Sequence, residues 1–294
     1  ILTVTGFLFL WAGPMDAFEA ACHSFSSIST GGFSTRQMSI ASFNSPYIEY
    51  VITLLMFFGG TNFLLISALF AKLSPSIFKN EEFRWYVSLI LVFTVVISVA
   101  LLATGQMTRI EETFRTVLFQ VVAAVTTTGF ATYNFLSWGP FYWMLFLVMI
   151  LFCGCEGSTS GGMKLSRLIV LSKNSLLVFK RQVHPDALYM VKMNNKVISN
   201  DTIAKVIAFV FLYLVLTVFS AAILSLSGMT FDESISVALS SISNYGLGLG
   251  SYGPVGTFES ATIFSKYFLS FLMLVGRLEV FTVLSLFVPG FWKR

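Results

Sequence analysis

The sequence predicts an all-α polytopic membrane protein built from repeated units, each a helix, a short half-helix, a loop and a second helix. Three observations carry this. Of the 294 residues, 56% are hydrophobic and only 11% charged, against roughly 45–50% and 25% in soluble domains. The mean hydropathy of +0.82 is spread over several long apolar blocks, so it cannot be assigned to a signal peptide. One pattern also recurs three times along the chain. Together these exclude a water-soluble enzyme and a disordered protein. The net charge of +4 comes from bases lying between apolar spans, which reads as membrane topology and not as a nucleic-acid surface.

About 20 apolar residues cross the ~30 Å hydrocarbon core. By that measure 1–12 is a partial span, and 50–71, 85–104, 204–226 and 262–288 are full ones. The chain opens on Ile1 inside an apolar run and reads as part of a longer protein. Three shorter stretches, 16–28, 112–126 and 232–243, cannot cross and read as re-entrant or interfacial segments. The block 139–177 would make a helix of roughly 58 Å and cannot be one straight span. Cys22, Cys153 and Cys155 form neither a disulfide framework nor a zinc spacing, and read as helix-packing residues.

Charge assigns the sides. Thirteen of the 18 bases lie in three places: Lys72, Lys79 and Arg84; Lys164, Arg167, Lys173, Lys180, Arg181, Lys192, Lys196 and Lys205; and the tail Lys293 and Arg294. These loops are cytoplasmic by the positive-inside rule. The other side holds Asp16, Glu19, Glu49, Glu111, Glu112, Asp232, Glu233 and Glu259 against Arg36, Arg109, Arg115 and Lys266. Its net acidic mouth would concentrate cations.

The repeat runs acidic residues, short segment, glycine-bearing tip, aromatic-rich loop, full span. The tips are Ser29-Thr30-Gly31-Gly32-Phe33-Ser34, Thr126-Thr127-Thr128-Gly129-Phe130-Ala131 and Ser243-Asn244-Tyr245-Gly246-Leu247-Gly248, with Gly32, Gly129 and Gly246 spaced 97 and 117 residues apart. A half-helix entering from outside with carboxylates in its first turn points its negative C-terminal dipole at mid-membrane. Several such ends suit Na⁺ or K⁺ and repel anions. Non-helical backbone at that depth must line a cavity, where carbonyl and Ser/Thr oxygens can ligate a hard cation. The alternative is that the tips are ordinary external loops. Three tips do not close a ring around an ion, so a fourth is expected from upstream or from another chain.

The tips resemble degenerate forms of the Thr-Val-Gly-Tyr-Gly potassium filter, and their order resembles the TrkH/KtrB/HKT superfamily of potassium transporters. Gly154-Cys155-Glu156-Gly157-Ser158-Thr159-Ser160-Gly161-Gly162-Met163-Lys164, Arg181-Gln182-Val183-His184-Pro185 and Gly276-Arg277-Leu278-Glu279-Val280-Phe281-Thr282 make the resemblance closest to the TrkH branch. The likeness implies a pseudo-fourfold cation pore, of which 1–76, 77–182 and 183–294 are the second, third and fourth repeats and the first is absent from this chain. It implies an ion-binding filter at Thr30, Gly31, Gly32 and Phe33, at Thr127, Thr128, Gly129 and Phe130, and at Asn244, Tyr245, Gly246, Leu247 and Gly248, with K⁺ on their carbonyls. Only the last tip keeps a second glycine, Gly248, so selectivity should be looser than in a strict potassium channel.

Gly154, Gly157, Gly161 and Gly162 with Ser158, Thr159 and Ser160 interrupt the overlong block. The resemblance implies an intramembrane gating loop; a kink at the cytoplasmic interface is the alternative. The Gly157 to Gly161 stretch fits no nucleophile elbow, since Thr159 is central and no strand precedes it. Arg277 and Glu279 lie about halfway along the final span, at ~2.5–3.5 kcal/mol each. On a continuous helix they point apart, one toward the pore and the other toward a neighbouring helix. The resemblance puts Arg277 beneath the filter as an electrostatic barrier; a structural ion pair is the other reading. His23 reads as a packed or capping residue and His184 as a regulatory contact.

The resulting expectation is K⁺ uptake across the cytoplasmic (inner) membrane with no catalysis and no cofactor in this chain, K⁺ being the transported ion. The resemblance implies a homodimer and a cytosolic nucleotide-binding regulatory subunit, for which 178–205 offers a surface; the bilayer is the remaining partner, and nucleic acid is not one. Two other classes stay open: an ion-translocating subunit of a proton- or sodium-coupled pump, and an intramembrane hydrolase using Ser158 or Ser160 with His23.

Overall fold

The computed structural model describes residues 1–72, 76–184, 187, 189–287 and 289–292. Pro185 of the cytosolic motif and the basic pair Lys293 and Arg294 lie outside the described residues.

The chain is helical almost throughout. α1 (Leu2–Trp11) leads to the first half-helix, α2 (Ala17–Ile28). The cap Asp16 accepts the Glu19 amide at 2.7 Å and sets the entry point of α2. α3 (Pro46–Gly59) and α4 (Phe63–Lys72) follow, then α5 (Ser76–Lys79) and the 23-residue α6 (Glu81–Ala103). The second half-helix is α7 (Ile110–Val125). α8 (Pro140–Leu151) and α9 (Leu165–Val183) flank the Gly154–Gly162 loop, and α10 (Asn200–Leu226) leads to the third half-helix, α11 (Phe231–Ser243). A reciprocal capping box joins Thr230 and Glu233 at its start. α12 (Ile263–Arg277), α13 (Val280–Ser285) and α14 (Pro289–Trp292) complete the chain.

Two expected continuous spans are broken. The stretch 50–71 is interrupted at 60–62, where Gly59-Gly60-Thr61-Asn62 ends α3 and restarts the chain as α4. The stretch 262–288 ends its first helix at Arg277, and Glu279 takes φ 67°, outside helical geometry for an L residue. Arg277 and Glu279 therefore do not share one continuous helix, and the expected placement on its opposite faces falls away. One short element was not expected: Lys192–Met193 and Lys196–Val197 pair as an antiparallel ribbon, closed by Asn194 and Asn195 at φ 48° and 63°, the geometry of a two-residue primed turn.

Large apolar side chains cover the outer surface of the spans as well as filling the core. Of the described helices, two are long and apolar enough to cross a membrane unbroken, α6 and α10, and both expose most of their apolar surface. Leu91, Val92, Val95 and Val99 on α6 and Phe211, Val218 and Phe219 on α10 face outward. The half-helices are buried toward their inner ends: from Val117 to Val125, α7 exposes little but Leu118, and the serine-rich α11 is buried from Ser236 to Ser243. Apolar surface toward lipid and polar backbone toward the protein interior is the arrangement a bilayer requires. Between α3 and α7 the Arg115 guanidinium meets Glu49 at 2.6 Å, both side chains only 12% exposed.

Candidate functional site

The three half-helices end in the same way. The amide directly after Thr30, Thr127 or Asn244 bonds back five residues, Gly31 to Ser26 O at 2.8 Å, Thr128 to Ala123 O at 2.9 Å and Tyr245 to Ser240 O at 2.9 Å, and an inner bond from Thr30, Thr127 or Asn244 itself accompanies each. This is a Schellman cap. Its left-handed position is held by Thr30, Thr127 and Asn244 at φ 51°, 54° and 58°, and not by glycine. A left-handed L residue costs roughly 1–2 kcal/mol, more awkwardly for a β-branched one. Two residues on, Gly32, Gly129 and Gly246 take φ 72°, 81° and 92°, so the backbone of every tip reverses twice in the same order.

The tips also touch in sequence. A methyl group on Gly32 would overlap the Thr128 carbonyl oxygen, and one on Gly129 would overlap the Tyr245 carbonyl oxygen. Each glycine thus admits the carbonyl that precedes the next tip's glycine, and only a residue without a side chain allows that approach. A cavity of about 560 Å³ lies between them, lined by Thr30 to Phe33, by Thr128 and Gly129, by Asn244 to Leu247 and by Arg277.

Other expected positions lie outside this lining. Phe130 is fully buried, 6.0 Å from the His23 ring. Gly248 is turned away, its amide on Tyr252 O at 2.8 Å. Thr127 faces the opposite direction, toward the glycine-rich loop, and its Oγ1 accepts the Gly161 amide at 2.8 Å. His23 is a packed residue: Nδ1 lies 2.7 Å from Glu19 O and Nε2 lies 2.9 Å from Ser34 Oγ, tying the first tip to its own half-helix.

The loop Gly154–Gly162 lies across the inner ends of all three half-helices. Thr159 Oγ1 donates to Ile28 O of α2 at 2.8 Å, and Thr30 Oγ1 donates to Thr159 O at 2.8 Å. Gly161 packs against Ser243 O at the end of α11 closely enough to exclude any side chain. The break between α3 and α4 supplies the other wall. Gly59 O accepts the Thr159 amide at 3.2 Å, Gly60 O accepts the Cys155 amide at 2.9 Å and Gly157 O accepts the Phe63 amide at 3.2 Å. Carbonyls freed by ending one helix are thereby satisfied by the loop. Inside it, Ser158 Oγ lies 2.7 Å from Ser160 Oγ, and Gly154 O accepts the Leu165 amide that starts α9 at 3.2 Å. Cys153 and Cys155 are buried, unbridged thiols beside these turns.

Arg277 ends α12 beside this cavity. Gly276 packs directly on Ile242 O, and Asn244 Nδ2 donates to Met273 O at 3.1 Å, so α12 is pinned to the third tip. Glu279 bonds Arg167 of α9 at 2.6 Å, and that guanidinium stacks 3.9 Å from the Phe209 ring centroid. Glu279 is therefore paired with Arg167 and not with Arg277. Lys164, the last residue of the Gly154–Lys164 motif and one of the cytoplasmic-side bases, donates to the Ser158 and Ser160 carbonyls of the loop, a contact that neither its place after Gly161-Gly162-Met163 nor its charge specified.

The match with known proteins covers the whole arrangement. The family model described as TrkH, a cation transport protein, matches residues 3–293. The chain is 34% identical over 295 residues to the Trk system potassium uptake protein TrkH of Escherichia coli K12, covering 100% of this chain and 61% of that protein. It is 30% identical over 290 residues to the Trk system potassium uptake protein TrkI of Halomonas elongata, covering 97% and 58%. The crystal structure of the potassium transporter TrkH from Vibrio parahaemolyticus superimposes with a TM-score of 0.94 at 33% identity, over 99% of this chain and 63% of that one. The chain spans less than two thirds of the length of each of these relatives. It is a helical membrane protein and belongs to the TrkH family of cation transport proteins.

Proposed function

We propose that this chain forms three quarters of a channel-like pore for potassium uptake across the cytoplasmic membrane, with 1–76, 77–182 and 183–294 as its second, third and fourth repeats. The observation that carries this reading is the convergence of three identically capped tips on one cavity that also holds Arg277. A fourth tip, from the portion of the longer relatives that this chain does not span, would complete the ring beside Gly246.

Each residue group has a physical task in this reading. Carboxylates at the outer ends of the half-helices gather cations. Dehydrated K⁺ is then ligated by carbonyls of Thr30 to Phe33, of Thr128 and Gly129 and of Asn244 to Leu247, the tip residues that line the cavity, with three helix C-terminal dipoles adding negative potential. Arg277 sets a barrier to the ion below them. The Gly154–Gly162 loop occludes the path and withdraws on opening, its glycines absorbing the backbone change. The basic cytosolic segment 178–205 and its ribbon serve as a docking surface for a nucleotide-binding regulatory subunit, and two copies of the protein work as a homodimer.

Transport without catalysis agrees with the histidine geometry. Both ring nitrogens of His23 are engaged by Glu19 O and Ser34 Oγ, so the pairing with Ser158 or Ser160 that hydrolysis would need is not made. A pump subunit would bury charges but would not require three matching tips. Rubidium and sodium flux through the intact protein in liposomes tests the proposal. Rubidium uptake that exceeds sodium uptake, and that is lost in Gly129→Ser and Gly246→Ser, is the expected result. Uptake strictly tied to proton flux and indifferent to both substitutions would overturn it.

A further inference from the structure

Lys164 occupies a position that local electrostatics disfavours. It is the N-cap of α9, at φ −58° and ψ 144°, where a cation meets the positive end of the helix dipole. Uncharged or acidic caps are the stabilising choices there. A lysine placed against such a preference calls for a compensating partner, and the loop provides one. Nζ donates to Ser160 O, to Ser158 O at 3.4 Å and to Ser160 Oγ at 3.3 Å. An ammonium carries three donors and no acceptor, and here all three meet oxygens. Among the described residues no carboxylate pairs with it; Glu279 on the neighbouring segment is taken by Arg167 at 2.6 Å.

The three acceptors are two carbonyls and one hydroxyl, the ligand type that replaces water around an alkali cation. They belong to the centre of the loop, and the residues beside them carry its contacts to the tips. Thr159, between Ser158 and Ser160, bonds Ile28 O and Gly59 O, and Gly161 bonds Thr127 Oγ1. The 2.7 Å contact between the Ser158 and Ser160 hydroxyls folds the segment so that its oxygens turn toward one point.

We propose that the Lys164 ammonium is a tethered cation that latches the loop shut, filling an oxygen cage that the loop would otherwise offer to a passing ion. This rests on reading the Gly154–Gly162 loop as the gate. Without the ammonium, two carbonyls and a hydroxyl lose a charged donor, and the closed loop is weakened relative to the withdrawn one. Hydrogen bonds to a charged group are strong enough that the open fraction should rise by roughly tenfold.

The test is rubidium flux through the intact transporter in liposomes, reconstituted without other proteins, for wild type, Lys164→Met, Lys164→Cys and a protein lacking 157–161. Lys164→Met keeps the apolar stem and removes the charge; it should raise flux about tenfold with the rubidium-to-sodium ratio unchanged, since the tips are untouched. Lys164→Cys should leak likewise, and alkylation with 2-bromoethylamine, which displaces bromide from the reagent by the cysteine thiolate and installs a thioether-linked ammonium, should return flux toward wild type. That return is a change which loss of fold cannot mimic, so the alkylation pair decides the matter even if Lys164→Met proves unstable. Flux unchanged in Lys164→Met and in Lys164→Cys before and after alkylation, with the loop deletion still leaky, would overturn the latch and leave the gate standing. Flux unchanged in the deletion as well would remove the gate reading and the latch with it.

Discussion

Thr30 and Thr159 hold one another across 129 residues of sequence: the Thr30 hydroxyl donates to the Thr159 carbonyl at 2.8 Å, and the Thr159 hydroxyl donates to the Ile28 carbonyl just before Thr30, also at 2.8 Å. The strained left-handed turn of the first tip is thus fastened to the loop beneath it.

Thr159→Val should therefore loosen the closed state. It removes the hydroxyl donor from Ile28 O and Gly59 O while keeping the side-chain shape; Gly59 O retains the Thr159 amide, whereas Ile28 O loses its donor, at a cost of about 1–3 kcal/mol for a buried carbonyl left unpaired. Basal rubidium flux in liposomes should rise by roughly an order of magnitude, because RT ln 10 is about 1.4 kcal/mol. Flux at the wild-type level would show that the bond does not restrain opening.

Two glycines with similar backbone angles should respond differently to alanine. Gly129, at φ 81°, presses on the Tyr245 carbonyl, whereas Gly105, at φ 69°, has nothing within 4 Å of where a Cβ would stand. Gly105→Ala should cost only the left-handed strain, about 1–2 kcal/mol, and leave transport intact. Gly129→Ala should displace the Tyr245 carbonyl and lower the rubidium-to-sodium permeability ratio by roughly tenfold, since a carbonyl facing a dehydrated ion is worth at least ~1.4 kcal/mol in this setting. Paired flux measurements on the two variants check both statements.

The Arg115 and Glu49 pair should matter more to stability than its neighbours. Both side chains are about nine-tenths covered, and removing one partner of a buried pair strands the other at a cost of about 3–5 kcal/mol. Arg115→Ala should sharply lower the unfolding temperature in detergent. Glu111, which also touches Arg115 but is 64% exposed, should be nearly silent as Glu111→Ala, within about 1 kcal/mol. Leucine at both 115 and 49 should recover most of the loss, because no charge is then stranded.

Much of this architecture was legible in the chain. The half-helices α2, α7 and α11 announced themselves through acids in or just before the first turn, a stretch too short to cross, and a Ser/Thr tip with glycine. Their burial followed, since polar backbone at membrane depth has to be shielded from lipid. The breaks after Gly59 and Arg277 were missed for a common reason: averaged hydropathy runs straight through a few non-helical residues when both flanks are apolar. The signal at the first was Gly59-Gly60-Thr61-Asn62, and at the second only Glu279, an acid without a helical partner. The ribbon at Lys192–Val197 escaped because Asn194-Asn195 had two-residue flanks on each side, too short for alternation to register. Lys164 was legible as the end of the glycine-rich motif and as a base, but neither a motif nor a charge count says what its nitrogen touches. Nothing in spacing could supply that Thr30, Thr127 and Asn244, and not the glycines, take the left-handed cap, since their side-chain partners, the Thr159 carbonyl, the Gly161 amide and the Met273 carbonyl, come from distant parts of the chain.

The site of the ion itself can be seen directly. Crystals of the intact transporter grown with thallium or rubidium in place of potassium should show anomalous density on the axis enclosed by Gly32, Gly129 and Gly246, above Arg277 and the Gly154–Gly162 loop. Anomalous peaks confined to the protein surface or to the acidic outer mouth, with none between the three tips, would contradict a pore lined by their carbonyl oxygens.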